Sequence, residues 1–278
     1  MIQKVFYFPQ IFPIFQEAHD FFVNTKKQTT TQHLFTNKQL RTLLVPIMVE
    51  QLLSSLMGTA DTMMVSNVGS AAISAVSLVD AINILVIQAL SALAAGGAIL
   101  CSQYLGSQNL KKAKRSAEQV LFVMLVLSCS LSLLCLIFRF PLLRLIFGTV
   151  DTDVMANSQI YFFFTLLSFP FIGLYDAGAS ILRAQNNTKG PMTISILSNF
   201  LNIGGNAILI FVFGMGVAGA AISTLVSRIF CAIVVIWQLR NPAEQIYVRN
   251  YFSIRPDWSL IKRVLFIGIP SGIENSMF

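Results

Sequence analysis

The chain has 278 residues, 55% of them hydrophobic and 11% charged, with a mean hydropathy of +0.71. A soluble domain carries roughly 25% charged residues, so this composition excludes a water-soluble globular protein and requires lipid as solvent. The formal net charge is +7, but Lys and Arg lie between apolar runs rather than beside stacking aromatics, which argues against a nucleic-acid partner.

Residues 1–38 combine an apolar run from Val5 to Phe15, broken by Pro9 and Pro13, with a polar stretch containing Lys26 and Lys27. No small-residue cleavage site follows, so the segment reads as a cytoplasmic tail rather than a signal peptide. A spanning helix needs roughly 20 apolar residues, and six stretches supply them, at about 40–65, 72–104, 117–141, 157–182, 191–213 and 217–239. Short connections with turn chemistry separate them, such as Gly106 to Asn109 and Asn186 to Gly190. The predicted fold is an all-α polytopic membrane protein, a six-helix lobe over 39–241 followed by a cytoplasmic linker over 242–260.

Except for Arg139, Arg144 and Arg228, every Lys and Arg falls in the tail or in the second, fourth and sixth connections. That asymmetry predicts a protein of the cell membrane with its amino terminus on the cytoplasmic side. The sequon Asn186-Asn187-Thr188 then lies on the cytoplasmic side, unmodified. The chain re-enters the membrane at about Ile261, and Val264 to Phe278 makes only about 22 Å of helix, so the chain reads as interrupted within a seventh helix at the start of a second lobe (261–278). There Pro270 precedes Glu274 and Asn275 as Pro46 precedes Glu50 and Gln51, a short match offset by the six-helix block, in the manner of transporter repeats.

An ionisable group within the bilayer is costly and should face a cavity or a partner. Glu50 and Asp61 lie about three turns apart on one face of the first helix with Ser54 and Met57, separated by about 16 Å along the axis. This puts Glu50 towards mid-membrane and Asp61 towards the outer end, both lining one aqueous cavity. In the fifth helix Ser195, Asn199, Asn202 and Asn206 form a single polar stripe, which suits a cavity wall and also interhelical glue. Asp80, Asp176 and Arg228 complete the intramembrane set; an ion pair or a carbonyl partner is the default for Arg228, and none of the three is assigned to coupling. Gly96-Gly97, Gly204-Gly205 and Gly216 to Ala221 read as close helix contacts. Cys101, Cys129, Cys135 and Cys231 read as buried small hydrophobes, without metal-ligand spacing. Both histidines, His19 and His33, lie in the tail, so no general base stands in the membrane region and an enzyme is not expected.

Ala60-Asp61-Thr62-Met63-Met64-Val65, Gln103-Tyr104-Leu105-Gly106 and Leu182-Arg183-Ala184-Gln185-Asn186-Asn187 occur in that order, followed by Asn199-Phe200-Leu201-Asn202, Gly216-Val217-Ala218-Gly219 and Gly268-Ile269-Pro270-Ser271-Gly272. Together they resemble the multidrug and toxic compound extrusion (MATE) transporters from about residue 40 to the end of the chain. The resemblance implies two six-helix lobes around a central cavity and an antiporter exporting organic, often cationic, compounds against protons or sodium ions, with no cofactor or metal. It implies that Asp61 is a cation-coupling residue and that Asn202 belongs to the same lobe's cavity. Glu50 is a second coupling candidate, and Ser195, Asn199, Asn206 and Glu274 are cavity-lining candidates. Some family members carry Asp where this chain has Asn206, which leaves the coupling ion open, and almost all of a second lobe is missing. The expected partners are a small organic substrate, membrane lipid, and the missing lobe or a pairing subunit. The alternative is a lipid-linked precursor flippase, whose cavity should carry several basic residues; a non-transporting membrane scaffold or receptor would need no polar stripes on cavity faces.

Overall fold

The computed structural model describes residues 37–148, 150–248 and 256–277, with side chains over 41–148, 150–248 and 256–270. The elements among them are all helical: α1 (Asn37–Ser66), α2 (Ser70–Gly106), α3 (Leu110–Ile137), α4 (Arg139–Phe147), α5 (Thr152–Ala184), α6 (Lys189–Asn206), α7 (Gly216–Leu239) and α8 (Trp258–Met277), with a π-helical extension of α6 over Ala207–Val212. Six of the described helices, all except α4 and α8, are long and apolar enough to cross a membrane. The chain is thus a multi-pass, all-α membrane protein. Residues Leu43–Phe278 form one compact unit; of the other, Met1–Thr42, only the opening of α1 is described, and the tail with both histidines lies outside the described residues.

Within the lobe α5 is central, packing on α2, α3 and α7, while α6 packs on α7 and α8 on α2. Two apolar clusters hold these helices together, one around Met124, Ile181 and Val235, the other around Phe162, Phe169 and Ala221. Large apolar side chains such as Leu145 (86% exposed) and Trp237 (72%) stand on the outside, as on a surface that meets lipid or other protein rather than water.

Several boundaries differ from the sequence expectation for physical reasons. Asn109 caps α3 by accepting from the Lys112 amide at 3.1 Å, so this helix starts at Leu110 and not near 117. Lys111, Lys112, Lys114 and Arg115 therefore stand in its opening turns rather than in a loop. The third span ends at Ile137, and Arg139 and Arg144 belong to the separate short helix α4, which stops at Gly148 with φ +61°. Arg183, expected in a loop, sits in the last turn of α5. Cys129 is exposed, whereas Cys101, Cys135 and Cys231 are buried. Of the expected close glycines, Gly205 abuts Ser223, and Gly96 lies against the Gly268 backbone, where an added Cβ would meet the Gly268 Cα at 2.6 Å; Gly204 has nothing near it.

Pro170 interrupts α5, and a proline leaves the carbonyl four residues earlier without its helical donor. That carbonyl belongs to Leu166, and the Ser132 hydroxyl of α3 donates to it at 2.7 Å. The linker after α7 is strapped to the lobe: Ile246 and Val248 are fully buried, and the Ile246 amide donates to Gln185 Oε1 at 2.8 Å. Lys114 stands 3.5 Å above the Tyr247 ring. Trp258 and Ser259 belong to α8, which begins before the re-entry expected at Ile261.

Candidate functional site

Between α1, α2, α5, α6 and α7 lies a cavity of 820 Å³ whose polar lining includes Asp61, Asp80, Tyr161, Tyr175, Asn199 and Arg228. The volume is that of a site for a small organic molecule, roughly 300–1,000 Å³. Ser54 and Met57 of α1 line it as well, as the shared face with Asp61 predicts.

Asp61 is 6% exposed and is held by a ring of neutral side chains. Asn206 Nδ2 donates to its Oδ1, and Thr224 Oγ1 approaches Oδ2 at 3.5 Å. Asn202 closes the ring by donating from Nδ2 to Thr224 Oγ1 at 3.3 Å and accepting from Asn206 Nδ2 at 3.4 Å. Asn206 is the last α-helical residue before the chain widens into the π turns, a distortion that recurs at functional sites. The Ser223 hydroxyl donates to the Asn202 carbonyl at 2.8 Å just ahead of it. Asn206 Oδ1 is buried without a partner, an oxygen acceptor close to the Asp61 carboxylate.

Asn202 and Asn206 are fully buried and stand behind Asp61, so of the expected stripe it is Ser195 and Asn199 that line the cavity directly. Asn199 Nδ2 is turned back onto the Ser195 carbonyl at 2.8 Å. Glu50 does not line the cavity, contrary to the sequence expectation. Arg183 reaches it from the end of α5 at 2.6 Å, and the Tyr175 hydroxyl donates to the same Oε1 at 2.8 Å; a charge-assisted bond to a guanidinium holds the carboxylate away from the cavity. Glu274 lies in α8, outside the residues whose side chains are described. Sequence reasoning did not assign Asp80, Tyr161, Thr224 or Arg228 to the site. Asp80 accepts from Asn83 at 3.1 Å and from the Tyr161 hydroxyl at 3.2 Å. The signal for it was the cost of a lone intramembrane carboxylate, which demands such donors.

The MatE family model matches residues 46–208. The chain is 31% identical over 236 residues to the "Uncharacterized transporter YisQ" of Bacillus subtilis, covering 83% of this chain and 51% of that protein. It is 29% identical over 253 residues to the "Probable multidrug resistance protein NorM" of Thermotoga maritima, covering 87% and 52%. An outward-facing multidrug resistance MATE family transporter of the MOP superfamily superposes with a TM-score of 0.78 at 24% identity, over 86% of this chain and 52% of that one; the likeness shows the fold. The chain thus spans about half the length of the curated relatives it matches. With the family model covering more than half of the residues, from the first span to the π-helical end of α6, the chain belongs to the MatE family.

Proposed function

We propose that this lobe is one half of a secondary active antiporter, in a cell membrane with its amino terminus cytoplasmic, that exports organic, often cationic, drugs or toxic compounds in exchange for protons or sodium ions. The observation that carries the reading is the placement of Asp61: a buried carboxylate on the wall of a ligand-sized cavity, hydrogen-bonded by an amide and a hydroxyl and in no ion pair among the described residues. The relatives named as multidrug resistance proteins support the substrate class.

A carboxylate in this setting is stable when a cation neutralises it and costly when bare. A proton on Asp61 would satisfy it directly. A sodium ion would find oxygen donors in Asp61, Thr224 Oγ1 and the unpartnered Asn206 Oδ1. Loss of the ion leaves a negative charge that attracts an organic cation into the same cavity, and the lobe's two states differ in which cation they hold. A second lobe, or a pairing subunit, completes the pathway.

The test is Asp61→Asn in the full-length protein. The neutral amide keeps the shape and cannot exchange a cation, so efflux is abolished while membrane insertion is retained. Efflux at the wild-type rate would refute the reading.

A further inference from the structure

The cavity holds two carboxylates and one guanidinium, and the three are not paired with one another. Arg228 Nη1 donates to Ser168 Oγ at 2.6 Å, and Ser168, itself fully buried, donates onward to the Thr165 carbonyl at 2.6 Å. Asp61 and Asp80 take their hydrogen bonds from Asn206, Thr224, Asn83 and Tyr161, all neutral. The ion pairs found among the described residues, Arg183 with Glu50 and Arg115 with Asp257, involve none of the three. All three side chains nevertheless face the same volume, and Asp61, Asp80 and Tyr161 are among the groups that act electrostatically on Arg228. Among the described residues the other buried acids do not line the cavity: Glu50 is paired with Arg183, and Asp176, whose Oδ2 is buried without a hydrogen-bond partner, stands behind the lining and is also within electrostatic reach of Arg228.

We propose that Arg228 is a built-in counter-cation that leaves the cavity one net negative charge, and so limits it to a single monovalent cation at a time, whether coupling ion or organic substrate. This inference rests on the antiport reading of the same cavity. A guanidinium cannot shed its proton in a protein, so its charge is permanent and, unlike that of an ion, cannot leave. Its anchor on Ser168 keeps it from collapsing onto either carboxylate, which would remove that acid from exchange. With both acids ionised, Arg228 offsets one unit of their charge and the other is open to an exchangeable cation. A dication is attracted twice as strongly as a monocation by one net negative charge, but its desolvation cost rises with the square of its charge, about fourfold, so a cavity with a single uncompensated charge favours the monocation.

The experiment compares equilibrium binding of tetraphenylphosphonium and of an ethylene-bridged bis-phosphonium dication to the purified full-length protein. The wild type should prefer the monocation. Arg228→Gln exposes a second negative charge and should shift the preference towards the dication by about tenfold or more, as one charge-pair interaction of about a pK unit implies. Arg228→Lys should keep the wild-type preference, and Asp80→Asn combined with Arg228→Gln should restore it, because charge balance and not shape is what the pair sets. Arg228→Met serves if Arg228→Gln fails to insert. An unchanged preference in the glutamine and methionine variants, no restoration by Asp80→Asn, or a wild type that binds neither cation would overturn the proposal. If Asp61→Asn retains efflux, the antiport reading fails as well; if it loses efflux while the Arg228 variants keep their preference, this inference fails alone.

Discussion

At the scale of single residues, Asp61 depends on its two direct donors unequally. Asn206 makes the closer bond and sits in a fully buried position, whereas Thr224 approaches at 3.5 Å. Asn206→Ala removes a charge-assisted bond and should destabilise the lobe by about 1.5–3 kcal/mol. Thr224→Val should cost less, about 1 kcal/mol or under. Thermal melting of the detergent-solubilised protein checks the order, and equal effects would mean that Thr224 is a closer partner than its position here suggests. Asp61 and the asparagine stripe were legible in the sequence because one helix face repeats every three to four residues. Arg228, Asp80 and Tyr161 were not, because α7, α2 and α5 bring them together from segments far apart in the chain, and no spacing within one helix encodes that meeting. Glu50 differs: it shares the face of Asp61 as the helical period predicts, but Arg183, which the sequence assigns to a loop, stands in the last turn of α5 and pairs with it.

At the scale of elements, α1 stands apart. Only 11% of its most apolar window is buried, against 39 to 50% for the other five spans, so polar tethers at Glu50 and Asp61 carry an unusual share of its attachment. Glu50→Gln and Arg183→Gln should each lower the melting transition, and the double variant should fall well short of the sum, with a coupling of about 1–3 kcal/mol given that Arg183 is partly exposed. Strict additivity would show that the pair contributes nothing. In α5 the Leu166 carbonyl relies on Ser132 because Pro170 withholds its amide. Ser132→Ala should therefore destabilise by about 1–3 kcal/mol, and adding Pro170→Ala should recover much of the loss by returning the helical donor. A further loss from the second change would contradict this account of the kink. The six spans were legible from hydropathy alone, since a bilayer demands length and apolarity before anything else. The π turns after Asn206 and the separate α4 were not, because backbone widening and short interfacial turns leave no distinct pattern in an already apolar run.

At the scale of the molecule, the described lobe has an apolar outer surface and an inner cavity lined by two carboxylates and one guanidinium. Two carboxylates against one guanidinium run counter to a lipid-linked pyrophosphate, which would need a basic wall. Exposed apolar side chains along α1, including Leu44, Met48, Leu52 and Leu56, lie on the helix that also presents Asp61. In the proposed antiport, a cation bound at Asp61 would act on the least buried span of the lobe, and its exchange would bias the cavity between two states.

The central claim is that coupling ion and organic cation compete for Asp61, and the most direct measurement is tetraphenylphosphonium binding to the full-length protein as sodium concentration is raised and, separately, as pH is lowered. The account predicts that one of these two ions weakens binding of the probe to the wild type and leaves its residual binding to Asp61→Asn unaffected. Probe binding that is indifferent to both ions in the wild type, or equally sensitive in Asp61→Asn, would contradict it.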